Sequence, residues 1–200
     1  MQRKSLETAA ANYSYLRGLL FLPAGALLIL SALGNEQVGP LRHAWVFVVL
    51  ACALLVLTLP ITSYYNEHYG RLTPTSRQRV RGAIGVAVCV VIVAGGSTLL
   101  RSNVSWSLDL PVNATAVTFA SIMLLSYEIG IGLKAHHVAI FGALLVAGAL
   151  PVWNGADPSN AGLVMAGVAI MVGGIFDHRL FVQTFGSPQS AALEDRDVRA

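Results

Sequence analysis

Three short stretches of this sequence bring acids and imidazoles together. They are Glu67-His68 within ITSYYNEHYGR (61–71), Tyr127-Glu128 followed by Lys134 and His136-His137, and Asp177-His178 within FDHR. Imidazole nitrogen and carboxylate oxygen suit zinc or iron. Glu67, His68, His136, His137, Asp177 and His178 are therefore the residues that a metal would use. Neighbours on a helix point about 100° apart, so both members of such a pair are expected to reach one ion only rarely. The sequence holds no His-x-x-x-His or His-Glu-x-x-His spacing, and its histidines are placed at segment ends, which disfavours a haem. Gly95-Gly96-Ser97 is no nucleophile elbow, and no histidine shares its depth to activate Ser97. No phosphate-binding loop or dinucleotide fingerprint occurs. No cofactor is expected, and an enzyme is the less favoured class.

The elements that must position these residues are set by composition. The chain has 200 residues, 55% hydrophobic and 12% charged, with a formal charge of +3. A water-facing surface needs more polar residues than that, so lipid is the expected solvent. Six apolar segments are read at 16–34, 44–63, 82–101, 112–133, 138–153 and 161–178, the last two being shorter than the rest. This gives an all-α polytopic membrane protein with six transmembrane helices in one domain, 1–186. Residues 187–200 form a polar tail expected to be disordered. Pro23 and Pro60 fall inside spans and are expected to kink them. Cys52 and Cys89 lie in apolar runs and imply neither disulfide nor metal.

Arginine and lysine set the orientation. With the N-terminus cytoplasmic, Arg3, Lys4, Arg17, Arg71, Arg77, Arg79, Arg81, Lys134, Arg179, Arg196 and Arg199 fall inside. Only Arg42 and Arg101 fall outside, so both termini are expected in the cytoplasm. Trp45, Trp106 and Trp153 then form an outer aromatic belt. The alanine and arginine bias suggests a bacterial cytoplasmic membrane. The patterns at Asn103-Val104-Ser105 and Asn113-Ala114-Thr115 are accordingly taken as chance matches to a glycan acceptor.

Under this threading each even-numbered segment delivers an acid and a histidine to the inner face. Glu128 lies about 9 Å deeper than Lys134 at 1.5 Å per residue. A carboxylate at that depth needs a partner, and Arg17 is the expected one, with Asp177 competing for it. Arg17, Glu128 and Asp177 are thus the buried polar candidates. Tyr64, Tyr65, His68, Tyr69, Arg71, Arg77, Arg79 and Arg81 make a basic, aromatic inner edge, and Tyr and Arg dominate protein-binding hot spots. Small residues every fourth position, Ala139/Ala143/Ala147, Ala169/Gly173 and Ala83/Ala87, offer close helix contacts within the fold or in a homo-oligomer.

Tyr64-Tyr65-Asn66-Glu67-His68-Tyr69-Gly70-Arg71, after a helix ending Pro60-Ile61-Thr62-Ser63, resembles uncharacterised bacterial six-span membrane proteins. These are often encoded beside short winged-helix regulators or exporters. The resemblance implies a regulatory or accessory role and supplies no catalytic residues. In outline the chain is also similar to the substrate-binding components of vitamin importers. Two functions follow as expectations. The first is a non-enzymatic membrane protein docking a cytoplasmic partner as sensor or regulator, without direct nucleic-acid binding. The alternative is a small-solute transporter or its binding subunit, for which the segment centres offer few polar groups.

Overall fold

The computed structural model describes residues 16–69, 80, 83, 84, 113–130, 132–150 and 157–186. Every regular element among them is helical. The helices are α1 (Phe21–Asn35), α2 (Ala44–Val56), α3 (Thr58–Tyr69), α4 (Ala114–Gly130), α5 (Ala135–Ala149) and α6 (Pro158–Phe185). Short 3-10 turns, Gly18–Leu20 and Gly39–Arg42, lead into α1 and α2. Three runs are long and apolar enough to cross a membrane: Gly18–Asn35, Ala44–Tyr69 and Ser159–Phe185. Ala114–Gly130 and Ala135–Ala149 are apolar but shorter. The expected third segment is outside the described residues except for Ala83 and Ile84, as are both chain ends, Arg71, Arg77, Arg79 and Arg81.

The Ala44–Tyr69 run breaks at Leu57, between α2 and α3. Pro60 is the cause. It has no N–H to give the carbonyl of Val56, and its ring crowds that carbonyl. The Thr58 hydroxyl instead donates to the carbonyl of Leu55 at 2.6 Å. Pro23 is the third residue of α1, in the first turn, where its missing N–H has no carbonyl within the helix to serve.

The sixth segment is the longest described helix, not a short one. It runs 28 residues, about 42 Å at 1.5 Å per residue. It opens on Asp157, whose carboxylate accepts the N–H of Asn160 at 3.0 Å, with Pro158 in the first turn. The polar residues Asp177 and His178 do not end it, because both are bonded by neighbouring helices. It ends at Gly186, whose φ of +83° departs from the helix.

α1 and α6 pack antiparallel with almost no side chain between them. A Cβ on Gly174 would run into the backbone carbonyl of Gly18, and one on Gly167 would meet the carbonyl of Gly25 at 2.6 Å. Asn35 and Glu36 reach Asn160 at the other end, the Asn35 amide at 2.9 Å and the Glu36 carboxylate at 2.6 Å. On the opposite side of α6, Ala116, Ala120 and Tyr127 of α4 and Phe141 and Leu144 of α5 close over Ala166, Ala169 and Ile170. α2 buries no residue, and Trp45 at its start is 68% exposed. A helix apolar on every side, with no residue fully buried and only one side partly covered, is compatible with lipid and costly in water.

Of the small-residue stripes, Gly173 meets the ring of Phe141, where a Cβ would come to 3.3 Å. Ala143 and Ala147 instead line an outward apolar groove of about 420 Å³ with Ala169. Ala139 faces outward and Ala87 is outside the described residues. Asn113 is buried and caps α4, accepting the N–H of Ala116 at 3.0 Å, so it is no glycan acceptor in this fold.

Candidate functional site

The polar centre of the bundle is Asp177, fully buried on α6. It lies on the same face as Ala166, Ile170, Gly173 and Phe181, at helical spacing. Three side chains from two other helices converge on its carboxylate. Tyr127 of α4 donates its hydroxyl to Oδ2 at 2.6 Å. His137 and His136, in the first turn of α5, both bring Nε2 to Oδ1, at 2.8 and 3.0 Å. His137 is completely buried and its ring stacks on Tyr127 with centroids 3.7 Å apart. His136 stacks on Phe176 and keeps 21% of its side chain exposed.

The start of α5 explains how two adjacent histidines share one oxygen, against the expectation from helix geometry. The backbone N–H of Lys134, the residue preceding α5, donates to Nδ1 of His137 at 3.3 Å. His137 therefore folds back over the helix start and carries its proton on Nε2, aimed at Asp177. His136, one residue earlier, reaches the same oxygen from the rim. Lys134 completes the surroundings: burial pushes its ammonium down, and the Asp177 carboxylate opposes that shift.

A second cluster grips α6 one residue on. The Tyr65 hydroxyl, fully buried, accepts the N–H of Leu19 at 3.3 Å and bonds Nδ1 of His178 at 2.9 Å. Leu16, Tyr65 and Phe181 form a small core there, with Tyr64 and Tyr69 packed on it. Arg17 donates to Asn66 at 2.5 Å and lies over the Tyr65 ring, its guanidinium carbon 5.4 Å from the centroid. Asp177 thus ties α6 to α4 and α5, while His178 ties it to α3 and the start of α1. The 100° between neighbours, which separates ligands, here serves two sides of one helix.

Several sequence candidates do other work. Glu128 is exposed and accepts the N–H of Leu133 at 3.1 Å. The expected ion pair with Arg17 is not formed, because Glu128 is one position off the buried face of α4 that carries Ala116, Ala120 and Tyr127. Asp177 does not compete for Arg17 either; its carboxylate is taken by the imidazoles and phenol. Glu67 accepts from its neighbour Ser63 at 2.6 Å. His68 is exposed, with Nδ1 on the Tyr64 carbonyl at 2.9 Å, and does not join His136 and His137. Tyr65 is internal, and Tyr69 packs against Phe181 at 4.6 Å, so neither tyrosine is an open docking anchor. Tyr127 was missed by charge-based reasoning, though its register with Ala116 and Ala120 marks it as inward-facing.

Tyr65→Phe isolates the second cluster. It keeps the ring and removes the bonds to Leu19 and His178. Polar contacts between membrane helices average below about 1 kcal/mol, and a stranded buried donor adds to that. The expected result is a loss of about 1 kcal/mol in thermal unfolding of detergent-solubilised protein, with the midpoint unchanged if the bond is immaterial.

One ring nitrogen from each of His136 and His137 and a carboxylate oxygen of Asp177 all lie within 4.8 Å of one another, the set among the described residues that converges as metal ligands would. No protein-family model, curated protein or solved structure matches this chain.

Proposed function

We propose that this chain is a non-enzymatic integral protein of a bacterial cytoplasmic membrane, with six spans and both termini inside. It acts as a sensor or regulatory subunit that passes a change at Asp177 to a cytoplasmic protein. The observation that carries this is the junction at Asp177 and His178, two consecutive residues that hold α4 and α5 on one side and α3 and the start of α1 on the other. A ligand or charge change at such a node acts on four helices at once, which is what coupling through a packed bundle requires. The arginine and lysine asymmetry supports the orientation. The partner surface is the edge formed by Glu67 and His68, both exposed, and the charge to be recognised is that of Arg71, Arg77, Arg79 and Arg81, which follow in the sequence.

Transport is the second reading. Grooves of about 360 and 290 Å³ lie at the Asp157 end, the first around Asn35 and Arg42 and the second around Glu36 and Asn160. Neither these nor the apolar α5–α6 groove is lined by Asp177. A pathway would need a polar cavity joining the two ends, and these grooves among the described residues do not reach Asp177, so the sensor reading is favoured.

Single cysteines at positions 76 and 155, in a background lacking Cys52 and Cys89, test the threading. Position 155 is expected to react with an impermeant maleimide added outside intact cells, and position 76 only after permeabilisation. Outside labelling at 76 would sink the orientation. Purification of the full chain from native membranes tests the function. A protein recovered in stoichiometric amount supports the sensor; its absence, with solute flux in vesicles that Asp177→Asn abolishes, establishes the transporter instead.

A further inference from the structure

We propose that His136, His137 and Asp177 form a binding site for one divalent transition-metal ion, with Zn²⁺ or Fe²⁺ the fitting class. This rests on reading the Asp177 node as the responsive centre and names the ligand to which it responds. Two imidazoles and one carboxylate are the donor set of many zinc sites and of non-haem iron sites that keep open positions. Bonds of about 2.0 Å in a tetrahedral site put neighbouring ligand atoms about 3.3 Å apart. Here His136 Nε2 and His137 Nε2 stand 3.0 and 2.8 Å from Asp177 Oδ1. Drawing each imidazole slightly back from Oδ1 brings these separations to that spacing.

The surroundings have the parts of a supported site. The Tyr127 hydroxyl on Oδ2 orients the carboxylate while Oδ1 is engaged, as outer partners of metal ligands do. Ring stacking on Tyr127 and Phe176 fixes the two imidazole planes. The partly exposed His136 gives entry from the rim. The proton balance is simple. Each imidazole binds as its neutral form, so the proton on Nε2 moves through solvent to Nδ1 and none is lost overall. For His137 this replaces the acceptor facing Lys134 N–H by a donor. That contact, at 3.3 Å the longest in the network, breaks when the metal enters. Metal binding therefore loosens the start of α5, a local change with a direction.

The test uses the full chain with a tag free of histidine, purified in detergent and stripped with a chelator. Co²⁺ serves as the spectroscopic probe and Zn²⁺ as its competitor. The expected result is one Co²⁺ per chain, with a visible ligand-field band that Zn²⁺ abolishes. His136→Ala, the least buried change, is expected to weaken binding at least tenfold, and Asp177→Asn about a hundredfold or more. His43→Ala, an exposed histidine before α2, is the control and should leave stoichiometry and affinity unchanged. No saturable band in the unaltered protein, or equal loss in His43→Ala and His136→Ala, overturns the site. Because His136→Ala is judged against a chain that still unfolds cooperatively, loss through misfolding is distinguished. Metal binding that leaves partner recovery unchanged keeps the site and sinks the sensor; partner recovery without any metal binding does the reverse.

Discussion

Asp177→Ala is expected to cost about 3 to 5 kcal/mol, the range for stranding the partners of a buried charge, read as a large fall in the thermal unfolding midpoint in detergent. The bonds alone do not reach that figure. Three interhelical hydrogen bonds at about 0.6 kcal/mol each, the average measured between membrane helices, give roughly 2 kcal/mol. The remainder comes from what is left behind: a fully buried imidazole at His137 and the Tyr127 hydroxyl, both aimed at a void. Replacing the group together with its partners should be milder. Asp177→Leu combined with His137→Leu and Tyr127→Phe removes the acceptor and its two buried partners, leaving only the partly exposed His136 to be met by water, and is expected to recover at least half of the loss. Glu128→Gln is the matched control. Its carboxylate is exposed and meets only Leu133 N–H, so a change within about 0.5 kcal/mol is expected. A loss at Glu128 equal to that at Asp177 would show that charge near this end of the bundle matters irrespective of burial.

The contrast between these two acids shows what could be read from the sequence. The helical, apolar character of the chain was legible, because it depends on composition and on segment length. The gathering of acids and histidines at one end was legible too, since each lies at the polar edge of an apolar run. Which acid is buried was not, because depth along the chain does not give rotation about a helix axis. Glu128 and Tyr127 share a depth and differ by 100° of rotation, and only the inward register of Ala116 and Ala120 decides between them. The same limit explains the pair at His136 and His137. Ideal helix geometry separates them, but the first turn of α5 lets His137 bend back to the Lys134 N–H. That local bond was outside any spacing rule. The sequence makes the tyrosines of ITSYYNEHYGR part of a docking edge on the inner side, while the structure turns Tyr65 into the core, where its hydroxyl meets His178.

Packing gives the last case, and a result whose sign changes with position. Alanine spacing singles out α5, yet among the described glycines the tightest contacts with a neighbouring helix backbone are those of Gly18 and Gly25 with Gly174 and Gly167 of α6. The two pairs are each seven residues apart, two helical turns, which keeps them on one seam. Gly174→Ala is expected to lower stability by about 1 to 3 kcal/mol or more, the range for overpacking. Its Cβ would meet the Gly18 carbonyl and the Phe21 Cβ, the latter at 2.9 Å. A backbone carbonyl cannot rotate aside as a flexible side chain would. Relief requires α1 to move off α6, which also disturbs the turn at Leu19 that bonds Tyr65. Gly174→Val should be worse than alanine, since its two methyl groups face the same backbone. Gly142→Ala, in the middle of α5, has nothing within 4 Å of the added atom. There the helix preference of alanine acts alone and should stabilise by about 0.5 to 1 kcal/mol. Thermal unfolding of the three variants side by side decides the matter. Equal midpoints for Gly174→Ala and Gly142→Ala would mean that the α1–α6 seam is not closed by backbone contact.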